Sequence, residues 1–277
     1  MVRILVTGAS GSVGRHVAAG LAALGHDVRA MTRSGTAAGG PTNIEVVQGD
    51  LAVPETLRGP LLGVDRVYLM WPGIAVEPRA VELIAGSAGR VVYLSTDVAD
   101  LETGESATHF HQEVERLIRM ATPSWTFLRA IDFATNALAW SSQVKDGVVR
   151  WPYGRAARSL IHEQDIADVA VRVLTSDGHD GAKYVLTGPE AIEHAELVRI
   201  IGKAIGRVVR WEDLPPEAAR EQLTAAWGNP AFVDSRLRAW AAFAQTPERV
   251  TDTVQQLLGR PARSFREWAR DHAEDFR

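Results

Sequence analysis

Gly8, Gly11 and Gly14 stand three residues apart in the segment ILVTGASGSVG, residues 4–14. The chemistry that this spacing serves is phosphate binding. One glycine permits a tight turn at a strand end, a second lets the backbone approach a pyrophosphate, and a third lets the next helix pack hard against the strand. The helix N-terminus then presents free N–H groups and the positive end of its dipole to the phosphates. Ser10, Ser12 and Val13 therefore join the three glycines as candidate cofactor contacts. Ile4-Leu5-Val6 reads as the strand, and Val13, Val17, Leu21 and Leu24 form one apolar face of the helix. A glycine-rich turn in some other α/β protein would not account for all three glycines.

The next apolar strand ends Ala30-Met31-Thr32-Arg33. An acid at such a strand end accepts hydrogen bonds from ribose hydroxyls and suits NAD. Here Thr32 takes that place and Arg33 follows, and an arginine pairs bidentately with a 2′-phosphate. The expected cofactor is NADP(H), with NAD(H) the lesser choice; the competing account of Arg33 is a solvated loop position.

These residues need a scaffold, and the alternation of short apolar runs with helical patterns supplies one. Strands are expected at Ile4–Val6, Val28–Met31, Glu45–Gln48, Arg66–Met70, Val91–Leu94, Trp125–Leu128 and Lys183–Leu186. Helices fit at Val13–Ala23, Pro54–Arg58, Pro78–Ala88, Phe110–Met120 and Ile166–Leu174. Such alternation implies a Rossmann-type, doubly wound α/β fold, a parallel sheet covered on both faces. Gly39-Gly40-Pro41 and Gly178-His179-Asp180-Gly181 read as loops. From about Pro189 only helices are expected, at Ile192–Ile205, Pro216–Trp227, Val233–Phe243 and Pro247–Leu258. The expected division is a dinucleotide-binding domain over 1–188 and a small helical substrate lobe over 189–277, with pocket contributions from 130–160.

Composition narrows the classes. The 277 residues are 46% hydrophobic and 23% charged, with a net charge of -4, so there is no basic footprint for nucleic acid. No apolar run approaches the ~18 residues of a membrane span. A first strand starting at Val2 leaves no room for a secretory leader, and the absence of cysteine excludes disulfides and thiolate chemistry; both fit a cytoplasmic chain. Eight tryptophans against four tyrosines suggest that some line an aromatic-friendly cavity.

With these features in place, the chain resembles the NmrA-like group of atypical short-chain dehydrogenases, including its NADPH:quinone-reductase-like members. TGASGSVGRHV resembles the phosphate loop, VVQGDL (Val46 to Leu51) the segment after the third strand, and VVYLST (Val91 to Thr96) the fifth strand. HQEVERLIR, WTFLRAIDFATN, SLIHEQDIADVA and YVLTGPEAIEHAELVRIIGKAIGR continue the likeness almost to the end. The resemblance implies cofactor contacts at Asp50 and Leu51, at Trp71 and Pro72 after the fourth strand, and at Ala130 and Phe133 on the nicotinamide side. Asp50 would meet the adenine edge or else cap the short helix that follows it.

One departure from the family bears on the chemistry. Most short-chain dehydrogenases use a Tyr-x-x-x-Lys pair, and aligning on Glu115 and Leu117-Ile118 puts Ala107 and His111 at those positions. Reducing an isolated ketone makes an alkoxide, which needs a proton. Reducing a quinone makes a phenolate-like anion with a conjugate acid near pKa ~10, which hydrogen bonds can hold until water protonates it. A quinone or conjugated aromatic carbonyl is thus the substrate class that suits a site without the tyrosine.

His111 could donate to the nicotinamide ribose or to the substrate oxygen, or be a plain surface histidine. Ser95 and Thr96, at the fifth strand's end, are the other catalytic candidates, and Ser95 and His111 are also candidate cofactor contacts. His109 and His111 form H-x-H, but positions i and i+2 of a helix point apart, so no metal site is expected. Asp165 reads as a cap for the Ile166 helix. Trp71, Phe133, Asn136, Trp140, Trp151 and Tyr153 are the candidate walls of a flat substrate pocket. The rival readings are a non-catalytic NADP(H)-binding redox sensor and, less favoured, a sugar-nucleotide epimerase or reductase. The chain is expected to act as a monomer or homodimer.

Overall fold

The computed structural model describes residues 2–36, 44–97 and 109–277, with His109 described by its backbone alone. Its strands in chain order are β1 (Arg3–Val6), β2 (Asp27–Thr32), β3 (Ile44–Gln48), β4 (Arg66–Met70), β5 (Arg90–Thr96), β6 (Trp125–Ala130), β7 (Val148–Trp151), β8 (Ala157–Arg158), β9 (Ala182–Leu186), β10 (Ile192–Glu193) and β11 (Arg210–Asp213). Seven form one sheet in the order β3-β2-β1-β4-β5-β6-β9, and every pairing in it is parallel. Parallel neighbours need crossovers, which helices provide. These are α1 (Gly14–Ala23), α2 (Pro78–Ser87), α3 (His109–Ala121) and, beyond a short α4 (Ser141–Lys145), α5 (Glu163–Thr175).

Successive residues of each inner strand feed opposite faces. Ile4, Val6, Tyr68, Val92 and Leu128 pack with Val17, Leu21, Ile166 and Ala170 of α1 and α5. Leu5, Val67, Leu69, Tyr93 and Phe127 pack with Val81, Ile84, Val114 and Ile118 of α2 and α3. The strand order reverses between β1 and β4, and a crevice opens at the carboxyl ends of the strands there. Thr7 ties the two strands at that point. Its N–H donates to the Tyr68 carbonyl at 3.0 Å, and its Oγ1 accepts from the Met70 amide at 2.7 Å.

A third apolar core builds the lobe. It joins Trp140, Val144, Val149 and Trp151 to side chains from α6 (His194–Ala204), α7 (Pro216–Trp227), α8 (Pro230–Phe243) and, past α9 (Thr253–Leu258), α10 (Phe265–Asp271). The expectation of helices alone after Pro189 is corrected: β10 pairs antiparallel with β8, and β11 pairs parallel with β7. The lobe core therefore begins at Ala134, while Val254 of α9 returns to the sheet.

Three further expectations change. Residues 247–252 are not helical, because the Glu248 amide donates to the Ala157 carbonyl at 3.0 Å and its carboxylate accepts from the Ser159 amide at 2.9 Å. Helix α10 was not expected from periodicity, but it starts at a capping box formed by Ser264 and Glu267. Helix α5 is capped by His162, whose Nδ1 accepts from the Gln164 amide at 3.1 Å, and not by Asp165. Asp165 is buried in the first turn and holds Arg260, Arg263 and the Arg263 amide. Gly39-Gly40-Pro41 lies outside the described residues. No helix among the described residues is long and apolar enough to cross a membrane.

Helix α10 docks on a buried carboxylate. Glu163 accepts from Trp268 Nε1–H at 3.1 Å and from His272 at 2.7 Å. Burial alone would raise its pKa, but the adjoining His162 ring and hydrogen bonds from its own backbone and His272 bring it down to about 2. The folded value lies below the unfolded one near ~4.3, so the stabilisation is fully present above that value and lost as pH falls through the folded pKa. Glu163→Gln is expected to remove about 3 kcal/mol near neutral pH and to flatten the acid limb between about pH 4 and pH 2. Urea unfolding followed by circular dichroism across that range checks both.

Candidate active site

The strand-to-helix turn after β1 explains the glycine spacing. Gly8 has φ +60°, and a Cβ there would lie 2.3 Å from Met70 Cε. A Cβ on Gly14 would lie 2.2 Å from the Gly8 carbonyl oxygen, and one on Gly11 would lie 3.2 Å from the same atom. Helix α1 follows with no side-chain cap and no acid in its first turn. No described residue accepts from the amides of Ser12 and Val13. An uncapped helix end behind a cradle of glycines suits a diphosphate.

Three cavities run in series along the carboxyl ends of the strands. The first, about 350 Å³, lies over Gly8, Ser10 and Gly11 and extends to Thr32, Arg33, Asp50, Leu51 and Pro72. Arg33 is exposed, while the Thr32 hydroxyl is turned back onto the Thr36 carbonyl at 3.2 Å. Asp50 is the only acid lining this cavity among the described residues, and its Oδ1 accepts from the Ala52 amide at 2.9 Å. It does not cap the short 3₁₀ turn Pro54–Leu57, whose cap position is Val53.

Met70 is shared with a second cavity of about 290 Å³, lined by Trp71, Ser95, Thr96, His111, Ala130 and Phe133 among others. Trp71 is also a core residue, its indole N–H bonded to the Ile74 carbonyl at 3.0 Å. The Ser95 hydroxyl donates to Glu115 at 2.6 Å, within a buried Glu115–Arg129 ion pair. Its proton is therefore directed into that pair and away from any ligand. Thr96 carries no such bond among the described residues, and His111, on the first turn of α3, lines the same cavity. Nδ1 of His111 is 2.6 Å from the Tyr93 hydroxyl, and burial lowers the imidazole pKa to about 4. At neutral pH the ring is uncharged. Ala107 and the side chain of His109 lie outside the described residues.

Asp132 and Asn136 connect the second cavity to a third of about 360 Å³ inside the lobe. Four indoles wall it: Trp140 and Trp151 (centroids 6.1 Å apart), Trp240 (5.8 Å from Trp151) and Trp227 (6.4 Å from Trp240). Its polar rim is a buried ion network. Asp132 binds both Arg158 and Arg236, and Arg158 also binds Glu248 at 3.1 Å. Burial would raise the Asp132 pKa, but the two arginines and Asn136 hold it at about 2. The His194 ring also lines the chamber, and burial lowers its pKa to about 3.

Most of the expected site residues thus come together, divided among the three cavities. Ser12, Val13 and Gly14 line none of them: Val13 is core, and Gly14 packs on the Gly8 carbonyl. Tyr153 packs on the outside of the lobe core with φ +57° and does not line the chamber. Phe133 belongs to the second cavity rather than the aromatic chamber. Asp132, Arg158, Arg236, His194, Trp227 and Trp240 were not anticipated. The excess of tryptophan was the one signal that pointed to the last two.

The chain matches the model of the NmrA-like family over residues 2–251 and belongs to that family. It is 39% identical to the (4-alkanoyl-5-oxo-2,5-dihydrofuran-3-yl)methyl phosphate reductase of Streptomyces griseus subsp. griseus, over 99% of each chain. It is 31% identical to the NAD(P)H azoreductase of Xenophilus azovorans, again over 99% of each. The solved NADPH complex of an Escherichia coli NADPH-dependent quinone oxidoreductase superposes with a TM-score of 0.79, covering 96% of this chain and 98% of that one. At 22% identity that likeness bears on the fold alone.

The glycines separate binding from folding. Gly11→Val is expected to keep the far-ultraviolet circular dichroism of the parent and lose dinucleotide binding, whereas Gly14→Val is expected to lose the folded spectrum. Normal binding by a folded Gly11→Val protein in titration calorimetry would show that the loop does not hold the phosphates.

Proposed function

We propose that this member of the NmrA-like family is an NADPH-dependent reductase of a quinone or a similarly conjugated aromatic carbonyl compound. The observation that carries the reading is the series of cavities, a phosphate cradle leading to a neutral donor pair and then to an indole-walled chamber. When bound, NADPH supplies a hydride from C4 of its nicotinamide.

The chain's own residues supply the rest. The α1 amides and glycines hold the diphosphate, and Arg33 meets a 2′-phosphate with no acid beside it on the strand end. Trp140, Trp151, Trp227 and Trp240 bury a flat ring and exclude water. Thr96 and His111 offer neutral hydrogen-bond donors to the substrate oxygen as it gains charge. No tyrosine or lysine lines the second cavity among the described residues. The reduced substrate therefore keeps its charge on a stabilised oxygen and takes its proton from water. A quinone and an acylated dihydrofuranone, the groups named for two of the proteins above, each hold charge on an oxygen of a π-system in this way.

Arg236 favours a second reading. It is partly exposed at the chamber, stacks over Trp240 at 5.5 Å, and has one carboxylate partner among the described residues, Asp132. Its remaining guanidinium donors suit an anionic substituent, and the Streptomyces relative is named for a substrate carrying a phosphate.

Quinones and enones are expected to draw hydride from NADPH, and unactivated ketones are not, as read by NADPH absorbance in stopped flow. If NADPH binds tightly and none of these compounds is reduced, the chain is a redox sensor instead. NADPH is expected to bind more tightly than NADH, and Arg33→Ala to narrow the gap by about 1–3 kcal/mol, the scale of a charge-assisted hydrogen bond. Equal affinities of the unmodified protein in calorimetry would refute the role of Arg33.

A further inference from the structure

We propose that Tyr93 is a positioning residue: by donating its hydroxyl proton to Nδ1 of His111, it fixes that imidazole in the tautomer that carries hydrogen on Nε2. This rests on the reading of His111 as a donor to the substrate oxygen and deepens it, because it decides which ring atom can donate.

The argument begins with how each polar atom is satisfied. Tyr93 stands on β5 with its ring fully buried against Phe127, edge to face at 6.2 Å. Its hydroxyl lies 2.6 Å from His111 Nδ1 and has no other hydrogen-bond partner among the described residues. The nearby Glu115 is engaged by Ser95 and Arg129. If Nδ1 carried the hydrogen, the phenol would accept it, and its own proton would be left buried without an acceptor. A buried donor left unpaired costs about 1–3 kcal/mol, so the phenol donates and Nδ1 accepts.

A neutral imidazole that accepts at one nitrogen carries its hydrogen on the other. The His111 ring lines the second cavity, and no described residue is hydrogen-bonded to its Nε2. The Phe110 ring also packs on the imidazole, 4.0 Å away between ring centroids.

The same geometry limits what the pair can do. Passing a proton through the ring to a substrate would leave a tyrosinate where burial and the charge of Glu115 push the phenol well above its ordinary pKa. The proton therefore stays on Tyr93, and His111 acts as a fixed hydrogen-bond donor rather than a relay. Such a donor stabilises an oxyanion without protonating it.

The test is a long-range ¹⁵N–¹H correlation spectrum of the histidine rings in the cofactor-free protein near neutral pH, with the His111 signals assigned by loss in His111→Ala. A dominant Nε2–H tautomer is expected, becoming a mixture in Tyr93→Phe, a change that preserves the buried ring. A dominant Nδ1–H form in the parent protein, or an unchanged Nε2–H form in a folded Tyr93→Phe protein, would overturn the proposal. With a quinone that the enzyme reduces, Tyr93→Phe is expected to lower kcat about 10-fold with KM for NADPH unchanged, and to add no loss on top of His111→Ala. The spectrum decides the tautomer even if no compound is turned over, so failure of the reductase reading remains distinguishable from failure of this one.

Discussion

The carboxylate of Asp132 is a buried point at which the sheet holds the lobe, beside the docking of α10 on Glu163. It follows β6, at the carboxyl edge of the sheet, and faces Arg158 from β8 and Arg236 from α8. Arg158 carries the link on to Glu248, which pins the chain ahead of α9. Two cations and two carboxylates leave this network balanced, which makes its burial tolerable. Removing one member would strand a buried charge, a change that costs about 3–5 kcal/mol in comparable pairs. The same residue lies where the nicotinamide-side cavity meets the aromatic chamber. Attachment of the lobe and the shape of the passage between the two cavities therefore share one group, and the two cannot be tuned apart at this position.

Around the reacting region the side chains withhold charge. His111 is kept neutral by burial. The proton of Ser95 is committed to Glu115, and Glu115 to Arg129, beneath the cavity floor. What faces a ligand there is a hydroxyl, an imidazole and apolar walls, with Asn136 and the arginine-paired carboxylate of Asp132 at the passage to the chamber. Such a lining favours reactants that distribute their own developing charge, and it offers little to an isolated ketone, whose alkoxide demands an acid. The departure from the Tyr-x-x-x-Lys pattern and the surrounding electrostatics are consistent with each other.

The parallel sheet was legible in the sequence because its signals are local. Runs such as Ile4-Leu5-Val6 and Val91-Val92 must be buried on both faces, and three glycines can be spaced in this way for few reasons. The phosphate cradle was legible for the same cause. The lobe was less so. Strands β10 and β11 are two and four residues long, and their partners lie 34 and 62 positions earlier, as in Ile192 with Arg158 and Arg210 with Val148. Nothing in the local pattern announces such pairing. The ion network escaped for a related reason: Asp132, Arg158, Arg236 and Glu248 are unremarkable singly and acquire meaning only once folded together. Tyr93 is not indicated by the Tyr-x-x-x-Lys pattern, which belongs to the helix, whereas this tyrosine stands on the strand.

The interleaving of the lobe also bears on how its specificity could be transplanted. Residues 134–160 and the stretch from Ile192 to Phe276, α9 excepted, share one core and two small sheets, while α5 and β9, which lie between them in the chain, belong to the Rossmann layer. A chimera with a single crossover near Pro189 would join half of one chamber to half of another, mismatching Trp140 and Trp151 against the indoles on α7 and α8. Exchange of ligand preference between relatives therefore calls for two grafts moved together, with the intervening helix and strand left in place as the host.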